Sequence, residues 1–276
     1  MTRVAVTGAS GKLGRVVVAD LLANGYEVLA LDAQPPRDPA VPFMRIDLTD
    51  YGQTIEALTR IDSRPEHFDA LVHLAAIPAP GSHPDHVVHN NNVVGSYNAL
   101  LGAAELGIRR ICQASSVNAI GHGYSRAPRY DYFPLDEAHP TYNEDSYSLS
   151  KWICEQQADS LCRRYEDLRV ASMRFHWVTP TRPSGSGFPM EVMAKNLWAY
   201  VLSAAAARAC LLSLSAAFTG HEPFFIAAPI TGVEQPSIEL ARAYYPEVPI
   251  RGDLGGNASF FSSAKAERLL GWTHDE

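Results

Sequence analysis

Gly8-Ala9-Ser10-Gly11-Lys12-Leu13-Gly14 stands between an apolar run at 4–7 and a helix-period segment at 12–24 that ends at Gly25. Glycines at these places let the chain turn sharply, approach a pyrophosphate and pack a helix closely on a strand. The start of the helix offers N–H groups and the positive end of its dipole to phosphates. Ser10, Lys12 and Leu13 therefore join Gly8, Gly11 and Gly14 as candidate cofactor contacts. The same glycines could serve a tight turn without a ligand, but a strand before and a helix after favour nucleotide binding.

Outward from this turn, strand-length apolar runs at 28–32, 43–46, 70–74, 110–114 and 170–175 alternate with helical patterns at 51–60, 87–106 and 145–165. Such alternation predicts a parallel sheet with helices on both faces and right-handed crossovers. Beyond Pro180 the pattern changes. Residues 181–188 are a loop rich in Pro, Gly and Ser, helices are expected near 189–198, 200–218, 236–244 and 264–270, and a short strand at 224–227. The expected fold is α/β: a Rossmann-type doubly wound parallel sheet of six or seven strands, residues 1–180, with a small discontinuous C-terminal substrate cap, residues 181–276.

The 276 residues suffice for a core without staples. With 46% apolar and 19% charged residues the chain is not disordered. A net charge of −7 argues against nucleic acid or an anionic membrane as partner. Four dispersed cysteines form no CxxC pair and read as buried reduced thiols. The opening MTRVAVTG reads as a strand and not as a leader, so a cytoplasmic location is expected. His83, His86 and His89 recur every third residue and drift around a helix, so no metal site is expected.

Asp32 ends the second strand, where a carboxylate accepts hydrogen bonds from ribose hydroxyls and repels a 2′-phosphate. NAD is favoured, and Arg37 nearby keeps NADP open. Asp47-Leu48 is placed either to contact adenine or, through Asp47, to cap the next helix. Tyr147 and Lys151 share a helix face, and an ammonium beside a phenol favours the phenolate. Such a tyrosine can exchange a proton with a substrate hydroxyl or carbonyl. Ser115-Ser116 closes the fifth strand at the carboxyl edge, where open α/β sheets bind ligands. Asn118 and His122 follow it and are candidate substrate contacts, whereas His139 reads as an exposed loop residue. His176 and Trp177, after the sixth strand, could floor the pocket.

TGxxGxxG at 7–14, Asp32, Asp47-Leu48, His73-Leu74-Ala75-Ala76, Asn92-Val93-Val94-Gly95, Ser115-Ser116 and Tyr147-xxx-Lys151 resemble the extended short-chain dehydrogenase/reductases, or NAD-dependent epimerase/dehydratase family. The resemblance covers residues 1–180, and 261–272 is similar to the family's C-terminal signature. It implies that Tyr147 is the acid/base, that Lys151 tunes it and binds the nicotinamide ribose, and that Ser116 is the catalytic serine. It also implies that Asn92 belongs to the catalytic set, that Leu74, Ala75 and Ala76 line the cofactor groove, and that the chain is a homodimer. Ile120 replaces the family's aromatic residue and Ala205 an aspartate. In size the chain looks more like uronate dehydrogenases, in which case Arg182 would hold a substrate carboxylate. Otherwise Arg182 is a solvated loop charge.

The reading that follows is an NAD-dependent oxidoreductase acting on a hydroxyl or carbonyl of a small molecule, a sugar acid or a secondary-metabolite ketone. The alternatives are a sugar epimerase or dehydratase with transient redox, and a non-catalytic nucleotide sensor. Intact Ser116, Tyr147 and Lys151 disfavour the last.

Overall fold

Strands that are apolar on both faces can be buried only inside a sheet covered on both sides. The computed structural model describes residues 2–59, 68–183 and 189–274. Its strands are β1 (Arg3–Thr7), β2 (Glu27–Asp32), β3 (Phe43–Arg45), β4 (Ala70–His73), β5 (Arg110–Ser116), β6 (Arg169–Phe175), β7 (Val178–Thr179), β8 (Val201–Leu202) and β9 (Gly220–Ile226). Its helices are α1 (Lys12–Ala23), α2 (Tyr51–Thr59), α3 (Asp85–Glu105), α4 (Ser146–Arg164), α5 (Met190–Lys195), α6 (Ser203–Ser215), α7 (Ser237–Tyr244) and α8 (Ala264–Leu270). The expected helix end at Arg60 and the loop residues 184–188 lie outside the described residues.

Seven strands form one parallel sheet in the order β3-β2-β1-β4-β5-β6-β9. The order reverses between β1 and β4, which opens a crevice at their carboxyl ends. Side-chain alternation divides the core. Val4, Val6, Val72 and Met173 pack with α1, α6 and α8 on one face. Ala5, Leu71, Ile111 and Val170 pack with α2, α3 and α4 on the other. A third cluster joins the loop after β5 to the cap through Tyr130, Phe133, Met193, Trp198, Leu240 and Phe260.

The boundary expected at 180 does not separate sheet from cap. β9 is the seventh strand of the sheet and α6 lies in its helix layer, although both follow residue 180. The helix expected over 189–198 stops at Lys195, because Leu197 and Trp198 turn left-handed at φ 49° and 51°. Val201 and Leu202, expected to be helical, instead pair with β7. The cap is discontinuous because α6 and β9 return to the sheet between its pieces.

Candidate active site

The turn after β1 is held by two close approaches. Gly8 has φ +68°, and a Cβ there would stand 2.6 Å from the Ala75 nitrogen on the neighbouring β4 side. A Cβ on Gly14 would stand 2.1 Å from the Gly8 carbonyl oxygen. Gly11 caps α1 without a side-chain hydrogen bond, and no acidic residue occupies the first helical turn. The opening N–H groups of α1 are thus left for an anion. Asp32 Oδ2 accepts from Ser10 N at 2.9 Å, and its Oδ1 accepts from Gln34 N at 3.1 Å. Asp47 does not cap α2. Its Oδ1 accepts from Thr49 N at 2.9 Å, while Asp50 accepts from Gln53 N at the helix start.

Ser10, Lys12, Leu13, Asp32, Asp47 and Leu48 line one long cleft with the three glycines. Leu74, Ala75 and Ala76 also line it. The cleft measures about 1410 Å³. That exceeds the roughly 300–1,000 Å³ of a single small-molecule site. Together with the uncapped helix and the Asp32 carboxylate, this size fits a dinucleotide with a second ligand beside it.

Ser116, Tyr147 and Lys151 line the same cleft. Ser116 ends β5 and caps a 3-10 turn, Val117–Ile120. Its Oγ accepts from Asn118 N at 3.1 Å and Asn118 Nδ2 at 3.3 Å. Both lone pairs are used, so its O–H proton is left to donate, and it lies near enough to Tyr147 to act on that phenol. Tyr147 sits in the first turn of α4, where the Asp145 cap accepts from Tyr147 N at 3.0 Å. Lys151 Nζ, one turn on, donates to the Ala114 carbonyl at 2.7 Å. The lowering expected for the phenol is outweighed. Burial pushes Tyr147 above its ordinary value, and the nearby Ser116 hydroxyl opposes that rise. Burial likewise draws Lys151 down, against Cys154 and Glu155.

Of the other expected residues, His176 lines the cleft, whereas Asn92, His122 and Arg182 do not. Asn92 does not line the cleft. Its Oδ1 accepts from Ile77 N at 2.8 Å, and its Nδ2 donates to Ile77 O and Ser150 Oγ, both at 3.1 Å. It braces the loop after β4 against α4. His122 is fully buried behind the cleft, where its Nδ1 meets Tyr130 Oη at 2.6 Å. His176 lines the cleft, yet its Nδ1 accepts from Trp177 N at 2.6 Å and its Nε2 donates to Asn196 O at 3.1 Å. Burial brings it down to about 3, so it is neutral. Arg182 is exposed, does not line the cleft and donates to Thr231 O at 3.2 Å. His139, expected at the surface, is buried and accepts from Asp131 N at 2.9 Å.

Sequence reasoning missed a buried unit behind the site. Arg174 on β6 donates to both Glu155 oxygens, at 2.9 and 2.8 Å, and Ser115 Oγ donates to Glu155 at 2.5 Å. This fork ties α4 to β5 and β6. The signal was available, since Glu155 lies one turn beyond Lys151. A second arrangement, Ser172-His221-Asp159, mimics a hydrolytic triad with contacts of 2.6 and 2.9 Å. Ser172 has no exposed surface, so no substrate can reach it.

The model of the NAD dependent epimerase/dehydratase family matches residues 4–212. The dTDP-6-deoxy-L-talose 4-dehydrogenase (NAD(+)) of Aggregatibacter actinomycetemcomitans is 30% identical over 63% of this chain and 60% of its own. Human UDP-glucose 4-epimerase is 26% identical over 75% of this chain and 62% of its own. The chain thus spans less than two thirds of the length of these relatives. Among solved structures, the UDP-glucose 4-epimerase of Thermotoga maritima with UDP-glucose has a TM-score of 0.73 at 21% identity, covering 99% of this chain and 94% of that one. A mutated uronate dehydrogenase has 0.71 at 19%, covering 100% and 82%. At these identities the structures establish the likeness of fold.

Proposed function

The chain belongs to the NAD-dependent epimerase/dehydratase family, and on that premise we propose that it is an oxidoreductase acting on a hydroxyl or carbonyl of a small molecule, a sugar acid or a secondary-metabolite ketone. The observation that carries this reading is that Ser116, Tyr147 and Lys151 line one cleft together with the glycine turn and Asp32. Ser116 and Tyr147 hold the reacting oxygen between two hydroxyls. Burial keeps Tyr147 protonated at rest, the state that gives a proton to a carbonyl oxygen. In the opposite direction Tyr147 takes the hydroxyl proton after its ionisation is favoured by nearby positive charge. Lys151 supplies part of that charge and, with two N–H groups beyond its Ala114 bond, would hold ribose hydroxyls. Asn118 orients Ser116 by occupying its lone pairs. Bound NAD supplies the hydride donor or acceptor.

The residues of the glycine turn, Asp32 and the 74–76 segment would hold the cofactor. A homodimer through α3 and α4 and a cytoplasmic setting are part of the same proposal, and the exposed Val94 and Tyr97 on α3 support the former. The epimerase reading is favoured by the UDP-glucose 4-epimerase relatives. Cofactor retention separates the two. NAD released in stoichiometric amount only on denaturation favours epimerisation, and weak reversible NAD binding favours net redox. No binding of NAD or NADP would sink both enzyme readings and leave a protein that kept the fold without the chemistry.

A further inference from the structure

The substrate half of the cleft, beyond Ser116 and Tyr147, is poor in charge. Among the described residues lining it there, Lys195 at the end of α5 is the single charged side chain apart from Lys151. His176 is neutral with both nitrogens occupied, and Arg182 faces Thr231. A diphosphate needs several charge-assisted donors, best supplied by arginine forks. No arginine lies among these lining residues, and Lys195 is a single donor group.

What the half does offer is specific. Lys195 Nζ donates to Arg126 O at 3.2 Å and Ser125 O at 3.5 Å, which pins it to the loop following Tyr124 and leaves one N–H and its charge. Gly123 marks where the end of α5 meets the loop after the 3-10 turn. A Cβ there would lie 3.2 Å from Asn196 Oδ1 and 3.7 Å from Asn118 Oδ1. Two amides therefore flank the same spot, and that of Asn118, which donates to Ser116 and accepts from Tyr124 N at 3.4 Å, keeps one N–H to donate. Amides both donate and accept, which suits hydroxyl groups. Seven large apolar residues are exposed among the described residues, and three of them, Tyr124, Trp177 and Val192, line this half. Exposed apolar clusters mark ligand grooves, and flat aromatic faces suit the C–H surface of a ring.

Building on the oxidoreductase reading above, we propose that this half takes a small hydroxylated ring compound bearing one negative charge, with Lys195 on the charged group and Asn118 and Asn196 on hydroxyls. A nucleoside diphosphate sugar is not its substrate. Lys195 takes the place that sequence assigned to Arg182.

The test uses the NADH-saturated full chain, in which hydroxyl compounds bind without turning over, and titration calorimetry with glucuronate, methyl glucoside and UDP-glucose. Glucuronate binds about tenfold tighter than the neutral glucoside, the size of one charge-assisted hydrogen bond, and UDP-glucose binds no tighter than glucuronate. Lys195→Met erases the preference for glucuronate, Lys195→Arg keeps it, and Arg182→Met leaves it intact. Tighter binding of UDP-glucose, an unchanged preference in Lys195→Met, or no binding of any of the three overturns the proposal. A chain that fails to bind NADH instead brings down the oxidoreductase reading beneath it, so the two failures are told apart before any sugar is added.

Discussion

Arg174→Met tests whether the buried fork behind the site holds α4 in place. Arg174 is 6% exposed and Glu155 2%. Methionine preserves much of the side-chain volume over Phe225 but deletes both donors to Glu155, leaving Ser115 as its partner. Removing one member of a buried ion pair costs about 3–5 kcal/mol. At about 2–4 °C per kcal/mol for a chain of this size, Tm falls by roughly 6–20 °C. The double change Arg174→Met with Glu155→Leu removes both charges and recovers most of that loss, because an apolar pair carries no desolvation penalty. Since α4 also carries Tyr147 and Lys151, the single variant binds NADH more weakly than wild type at temperatures where both are folded. Urea titrations give the stabilities, and NADH fluorescence gives the affinities. An Arg174→Met protein within about 1 kcal/mol of wild type, or a double variant no more stable than the single, refutes the reasoning.

Tyr147→Phe keeps NADH binding and lowers turnover by about 10²–10⁴-fold, the contribution of a positioned acid/base. Full activity in that variant would end the proposed mechanism. Gly14→Ala forces a Cβ against the Gly8 carbonyl and the Ala9 backbone, so it abolishes cofactor binding by equilibrium dialysis and lowers Tm. Acid destabilises the fold through buried histidines. Burial, aided by the Lys151 charge, brings His73 down to about 3, and burial does the same to His176. Their folded-state values lie below the unfolded value of about 6.5, so the stability they confer is complete above that pH. It is lost as pH falls toward about 3, at about 1.4 kcal/mol per pH unit per histidine. Urea midpoints between pH 7.5 and 5.5 measure the slope, and His176→Gln should remove about one histidine's share of it.

Much of the cofactor half was legible because its chemistry is encoded locally. Three glycines in seven residues, an acid closing the next strand and a Tyr-Lys pair one turn apart need no knowledge of distant contacts. The substrate half was not legible for the converse reason. Arg182 and Lys195 are both lone basic residues beside Pro- or Ala-containing segments, and only the fold turns one toward Thr231 and the other into the cleft. His122 looked accessible because it follows Ser116, but the 3-10 turn at Val117–Ile120 rotates it into the core. The early part of β9 was hidden by Gly220-His221-Glu222-Pro223, a polar start that an edge strand tolerates. The phenol of Tyr147 was misjudged because spacing shows the ammonium and not the depth of burial.

The late arrival of β9 has a consequence for cutting the molecule. A fragment ending at residue 180 would keep every cofactor motif, yet it would lack the strand that pairs with β6 along seven residues from Arg169 to Phe175. It would also lack α6, whose alanines share a buried cluster with Val4, Val72 and Met173. Such a fragment presents an unpaired row of amides and carbonyls next to bare apolar surface, the combination that templates strand addition between copies. It would precipitate and not serve as a portable nucleotide module. Grafting the substrate end of this chain onto a relative therefore calls for exchanging two separate cap segments around an unbroken α6–β9 unit.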